Sequence, residues 1–223
     1  MRQQYRNGFT IVELLIATTV FSVVLLVAST AMIQIGRLYY KGIISTRTQN
    51  ATRDIAQRVV TDLQYGGSDS FKPNYSALST VPSQPEQNPP LKPDNIGQAL
   101  AVCIGDSKYT YWLGQQVKGT HHGIVLSQAT SGTCSPDSNG VELLGENMRL
   151  TQFQIAKSSG NQGFYTVKIK VAYGDNDLLT TYNEASDGIN INQLSQTLCK
   201  SGIAGSNFCA TSALDTSATI RVE

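Results

Sequence analysis

The pattern of apolar and polar positions changes sharply near the start of the chain. Met1 to Asn7 form a short basic leader, and a long apolar run follows it, ending near Ile35 and Gly36. No residue between Leu14 and Gly36 carries a formal charge. As a helix this stretch rises roughly 35 Å, enough to cross a hydrocarbon core. Past it the pattern becomes amphipathic. Leu38, Ala51, Ile55, Val59 and Leu63 recur at helical spacing, with Ala56 and Val60 widening the stripe. Arg47, Arg53, Asp54, Arg58 and Asp62 populate the other face, and Arg58 and Asp62 are spaced to pair. The spacing predicts one long helix from Phe9 to about Tyr65, its second half packed on its own domain. Gly66-Gly67 ends it.

From Gly67 to Gly97 the chain is rich in Pro, Ser, Asn and Asp and holds six of the seven prolines, Pro73, Pro82, Pro85, Pro89, Pro90 and Pro93. No regular element is expected there. Short strands follow. Ala99–Ile104 and Lys108–Leu113, joined by Gly105-Asp106-Ser107, predict a hairpin. Further strands are expected at Gly123–Ser127, Val141–Leu144 and Met148–Ala156. Phe164–Tyr173 has the clearest alternation, with Tyr165, Val167, Ile169, Val171 and Tyr173 against Thr166, Lys168 and Lys170. A short strand at Ala218–Val222 closes an edge. The fold class is α+β: a long N-terminal helix on an antiparallel sheet of about four to seven strands.

Length and composition narrow the class. The chain has 223 residues, and about 185 lie beyond the apolar run, enough for one medium domain with a core. Formal net charge is +1, not the basic excess of a nucleic-acid binder. Four cysteines, Cys103, Cys134, Cys199 and Cys209, lie beyond the membrane run. Three connectivities are open; Cys199–Cys209, a local loop, with Cys103–Cys134 is favoured. Such bonds form outside the cytoplasm. The spacings do not match a zinc site.

One carboxylate, Glu13, sits inside the apolar run. A charge there is costly and points to a function, unless it lies solvated at the membrane surface. Arg6-Asn7-Gly8-Phe9-Thr10-Ile11-Val12-Glu13-Leu14 resembles the class III signal sequence of type IV pilins and pilin-like proteins. The resemblance covers about the first 40 residues closely and the remainder by architecture. It implies cleavage by a prepilin peptidase between Gly8 and Phe9, methylation of the new Phe9 amine, and a pilin-like fold. Cleavage would remove Arg2 and Arg6 and take the net charge from +1 to −1. Glu13 would then pair with the Phe9 amine of a neighbouring subunit, neutralising a buried carboxylate and setting the stagger between helices.

The implied organisation is a leader (1–8), a membrane and filament-core helix (9–36), an amphipathic helix (37–66), a Pro-rich loop (67–97) and an extracytoplasmic sheet domain (98–223). Implied partners are the peptidase, other pilin subunits, the membrane, and a platform protein with its assembly ATPase; no specific nucleic acid is expected. The function implied is that of a minor pilin or pseudopilin, the larger J-type subunits among them, in a type IV pilus or a type II secretion-like filament. The alternative is a membrane-anchored or secreted binding domain that does not polymerise. Ala28-Ser29-Thr30-Ala31 offers an ordinary signal-peptidase site for its secreted form, but the apolar run is too long for a usual signal peptide. The basic residues give the opposite orientation signal. Arg2 and Arg6 precede the run, and Arg37, Lys41, Arg47 and Arg53 follow it, which by charge alone places the C-terminal domain in the cytoplasm. The processing motif and the cysteines outweigh that count. Tyr39-Tyr40 beside Arg37 and Lys41 has the make-up of an interfacial anchor.

No catalytic signature appears, so no enzyme and no cofactor is expected. His121-His122 is read as a polar turn before a strand. Gly174-Asp175-Asn176-Asp177 resembles the start of a calcium loop but lacks its later Gly and Glu. Tyr109, Tyr111 and Trp112 are expected to pack in the core.

Overall fold

The structure, a computed structural model, describes residues 9–66, 71–74, 98–129, 134–157, 164–183, 188–189 and 191–220. It divides into two compact units, Met1–Tyr40 and Lys41–Glu223. Helix α1 (Ile11–Tyr65) contributes to both.

In the first unit the apolar side chains from Phe9 to Tyr40 are exposed, and the helix is long and apolar enough to cross a membrane. Its few hydroxyls turn back on the helix. Thr18, Thr19, Ser22, Ser29 and Thr30 each donate to a carbonyl three or four residues earlier, at 2.7–3.0 Å. Each of these hydroxyls is thus satisfied without water, the condition for burial in lipid.

In the second unit α1 buries Ile44, Thr48, Thr52, Ile55, Ala56, Val59 and Leu63. The expected stripe holds from Ala51 onward, but Leu38 is 70% exposed because it lies in the first unit, outside the core. Thr48 and Thr52 enter the core because each hydroxyl bonds a carbonyl four residues back at 2.8 Å.

The strands are β1 (Phe71–Asn74), β2 (Ala99–Ile104), β3 (Ser107–Trp112), β4 (Ile124–Gln128), β5 (Val141–Glu142), β6 (Met148–Lys157), β7 (Phe164–Tyr173), β8 (Tyr182–Asn183), β9 (Gly188–Ile189) and β10 (Ala210–Thr219). They form a five-stranded sheet in the order β1-β2-β3-β4-β5, a three-stranded sheet in the order β10-β7-β6, and a β8-β9 ribbon. All named strand pairs are antiparallel. The two larger sheets meet through bridges Leu113–Leu150 and Gln116–Arg149 and share one core with α1. Tyr109, Tyr111 and Phe153 interlock there, the Tyr111 and Phe153 rings 4.9 Å apart.

Three expectations need correction. The strands form two main sheets, not one, because β6 pairs with β7 and β10 while only isolated bridges tie it to the first sheet. The Pro-rich stretch does contain a regular element: Phe71–Asn74 pairs with Ala101–Ile104. Pro73 is tolerated because β1 is an edge strand, with one side free of partners in the sheet. The remainder of 67–97 lies outside the described residues. The last strand runs from Ala210 to Thr219, earlier and longer than the expected Ala218–Val222. It is small and polar, Ala-Thr-Ser-Ala-Leu-Asp-Thr-Ser-Ala-Thr, so its sequence carries almost no alternation; pairing along the whole of β7 forms it.

Candidate functional site

The residues that begin α1 are Phe9, Thr10 and Glu13. Phe9 is 84% exposed. Thr10 stands at the N-cap. Its hydroxyl accepts from the Glu13 N–H at 3.3 Å, and the Glu13 carboxylate accepts from the Thr10 N–H at 3.0 Å. The Thr10 hydroxyl also reaches the carboxylate at 3.0 Å. This is a reciprocal capping box, which satisfies helix-end donors that have no partner within the helix. Within a single chain the carboxylate is therefore held against its own helix start, four residues from Phe9. The Thr-x-x-Glu spacing was visible in the sequence, and Thr10 is a residue that the reading of Glu13 alone overlooked. Gly8 lies outside the described residues.

In the second unit the structure brings the cysteines together in two bonded pairs. Cys103 is joined to Cys134 and Cys199 to Cys209, with Cα atoms 5.8 and 5.7 Å apart. The first pins the segment at Cys134 to β2. The second closes the loop that leads into β10.

His121 and His122 have different surroundings. His121 is exposed, while His122 Nδ1 lies 3.3 Å from the Glu142 carboxylate and its ring stands against Trp112. Glu142 is distant in sequence, so no local spacing announced it. Its carboxylate also accepts the N–H groups of Gly123, Ile124 and Leu144 at 3.0–3.1 Å, which fixes the short strand β5 beside β4. That arrangement is structural: three of the carboxylate's contacts are backbone N–H groups, and the fourth is the His122 ring.

The Gly174–Asp177 turn is organised by a cation from the chain itself. Arg149, 1% exposed, donates to the Gly174 carbonyl at 2.8 Å and to the Asn176 side-chain oxygen. Burial pulls its pKa down to about 10, while the charge of Asp175 works the other way. A guanidinium thus takes two oxygens that a calcium ion would need. Among the described residues no group of three or more His, Cys, Asp or Glu could hold a metal ion.

Residues 3–29 match the family model of the prokaryotic N-terminal methylation motif. This is the class III signal of type IV pilins. The matched segment contains Phe9, Thr10 and Glu13 and most of the apolar run. No curated protein and no solved structure gave a significant match to the chain. Together the motif and the exposed apolar helix mark a membrane-anchored protein that carries a signal of the type IV pilin kind.

Proposed function

We propose that the protein is a structural subunit, a minor pilin or pseudopilin, of a type IV pilus or a type II secretion-like filament. Prepilin peptidase cuts between Gly8 and Phe9, the Phe9 amine is methylated, and a platform protein and assembly ATPase draw the subunit into a filament through residues 9–36. Residues 37–66 and the sheet domain, 98–223, stand outside the cytoplasm, a placement supported by the two bonded cysteine pairs. The protein works by assembly and not by catalysis.

The observation that carries this reading is the methylation motif at residues 3–29 with Glu13 as the one formal charge between Phe9 and Gly36. Glu13 then serves in two places: it caps its own helix before assembly and meets the Phe9 amine of a neighbouring chain after it. N-terminal sequencing and mass measurement of the protein from its native membrane test the reading. Methylated Phe9 as first residue is the expected result. A chain that still begins at Met1, or one clipped near Ala31, rules it out.

A further inference from the structure

The segment 134–140 crosses the larger sheet strand by strand. Cys134 is bonded to Cys103 of β2. Asp137 lies 3.5 Å from the Lys108 ammonium, and its backbone N–H donates to the Thr110 hydroxyl at 3.1 Å, both on β3. Gly140 lies against Val125 and Leu126 of β4, and Val141 then opens β5. The last of these fastenings demands glycine. A Cβ at position 140 would collide with the Leu126 carbonyl and stand 2.7 Å from Val125 Cγ1.

The residue before this glycine is Asn139, and both are exposed. The Asn139 N–H donates to the Asp137 carboxylate at 2.9 Å. Among the described residues no hydrogen bond holds the Asn139 carboxamide or the Gly140 N–H. A backbone nitrogen that follows asparagine attacks the side-chain carbonyl carbon unless the next side chain crowds it or a hydrogen bond ties it down. Here glycine removes the crowding, and no bond ties the nitrogen. The other asparagines differ. Asn50 lies within α1 before Ala51. Asn147 and Asn176 precede Met148 and Asp177, and Gln116 and Arg149 engage their side-chain oxygens. Among the described residues Asn139 is the one asparagine followed by glycine.

We propose that Asn139 is a site of spontaneous deamidation through a cyclic imide formed with Gly140. The Gly140 nitrogen loses its proton to solvent and bonds to Asn139 Cγ, and the side-chain nitrogen leaves as ammonia. Water then opens the five-membered imide at either carbonyl, which gives an aspartyl or an isoaspartyl residue at position 139. One water is consumed, one ammonia is released, and nothing is oxidised or reduced. The isoaspartyl form routes the main chain through the former side chain and adds one backbone carbon. That carbon enters two residues before Val141, whose pairing with Leu126 begins β5. A new carboxylate also arises two residues from Asp137, the partner of Lys108. Both changes loosen the segment from β3 and β4. Nothing in this chemistry depends on how the chain assembles.

The test incubates the full chain, disulfides intact, in neutral and in mildly alkaline buffer. Peptides containing residue 139 are followed by mass and by labelling with an isoaspartyl-specific methyltransferase. Conversion of amide to acid at Asn139 should run about tenfold or more faster than at Asn50, Asn147 or Asn176. It should quicken as pH rises, because the attacking nitrogen must first lose its proton. Asn139→Gln has to close a larger ring, so its label should vanish while circular dichroism stays that of the wild type. Reacted chains should exchange the amides of residues 141–144 faster than unreacted ones. An unreacted Asn139 in the folded chain, under conditions that convert it in urea, overturns the proposal, since the fold then holds the imide geometry out of reach. Equal conversion at the four asparagines overturns the assignment to this site. Acid at position 139 without any isoaspartyl form overturns the imide route in favour of direct hydrolysis. Unchanged exchange at 141–144 overturns the effect on β5.

Discussion

The hydroxyl of Tyr109 donates to the carboxylate of Asp62 at 2.5 Å. The bond ties α1 to β3, the central strand of the larger sheet, across 47 residues of sequence. Tyr109 is fully buried, and burial, followed by the neighbouring Asp62, raises its pKa above the ordinary value near 10. The helix is thus held to the sheet by one charge-assisted polar bond inside an apolar contact of Ile55, Val59 and Leu63.

Tyr109→Phe should therefore cost about 1–2 kcal/mol of unfolding free energy, the worth of a hydrogen bond to a charged, partly buried acceptor. The sign of its pH dependence follows from the raised pKa. The unfolded chain loses this proton first as pH rises. The stabilisation is whole below about pH 10 and is lost progressively above it. Urea titrations on both sides of that pH should show a steeper alkaline loss in the wild type than in Tyr109→Phe. Equal slopes would separate Tyr109 from the alkaline transition.

The two disulfides close loops of different length, with sequence separations of 31 and 10. Chain entropy assigns about 3.5–4 kcal/mol to the longer and about 2.5–3 kcal/mol to the shorter. Replacing Cys103 and Cys134 by Ser should lower stability about 1 kcal/mol more than replacing Cys199 and Cys209. Denaturant midpoints of the two double variants check the order.

Glu13→Gln separates the two jobs of the carboxylate. Gln serves at the same position of a capping box, so the bond to the Thr10 N–H and the start of the helix persist. It carries no charge for a neighbouring amine. Filament yield should fall sharply while membrane insertion and helix content stay at wild-type level. Thr10→Val does the reverse: it removes the cap, at a cost of about 1 kcal/mol of helix stability, and leaves the charge. Sheared-filament yields of the two variants, compared with their levels in the membrane, decide between register and capping. Wild-type yield from Glu13→Gln would remove Glu13 from assembly.

Arg149 holds the Gly174 turn, so calcium should not. The melting temperature is expected to be the same in excess calcium and in excess chelator. Arg149→Met should lower it, because the Gly174 carbonyl and the Asn176 side chain lose a buried donor. A rise in melting temperature with calcium in the wild-type protein would reopen the metal reading of Asp175 and Asp177.

Local periodicity was enough to find the elements that generate their own pattern. Phe164–Tyr173 emerges with both ends as the alternation places them, because β7 is the middle strand of its sheet and one face is uniformly apolar. The helix emerges within two residues at its start, because capping, apolar content and the stripe from Ala51 to Leu63 all agree. β10 was shortened and displaced because an edge strand of Ala, Ser and Thr has little to alternate. β1 was missed because Pro73 signals a break wherever the partner strand is unknown.

The sequence by itself determined the long apolar helix, the carboxylate within it, the signal segment that precedes the helix, and the α+β class. These rest on neighbours three or four residues apart, whose relation the chain geometry already fixes. Only the tertiary structure decided which cysteines meet, that Asp62 finds Tyr109, and that Arg149 reaches Asn176. Those pairs are separated by ten residues or more. Their meeting depends on how two sheets and a helix close around one core, and no local spacing encodes that closure.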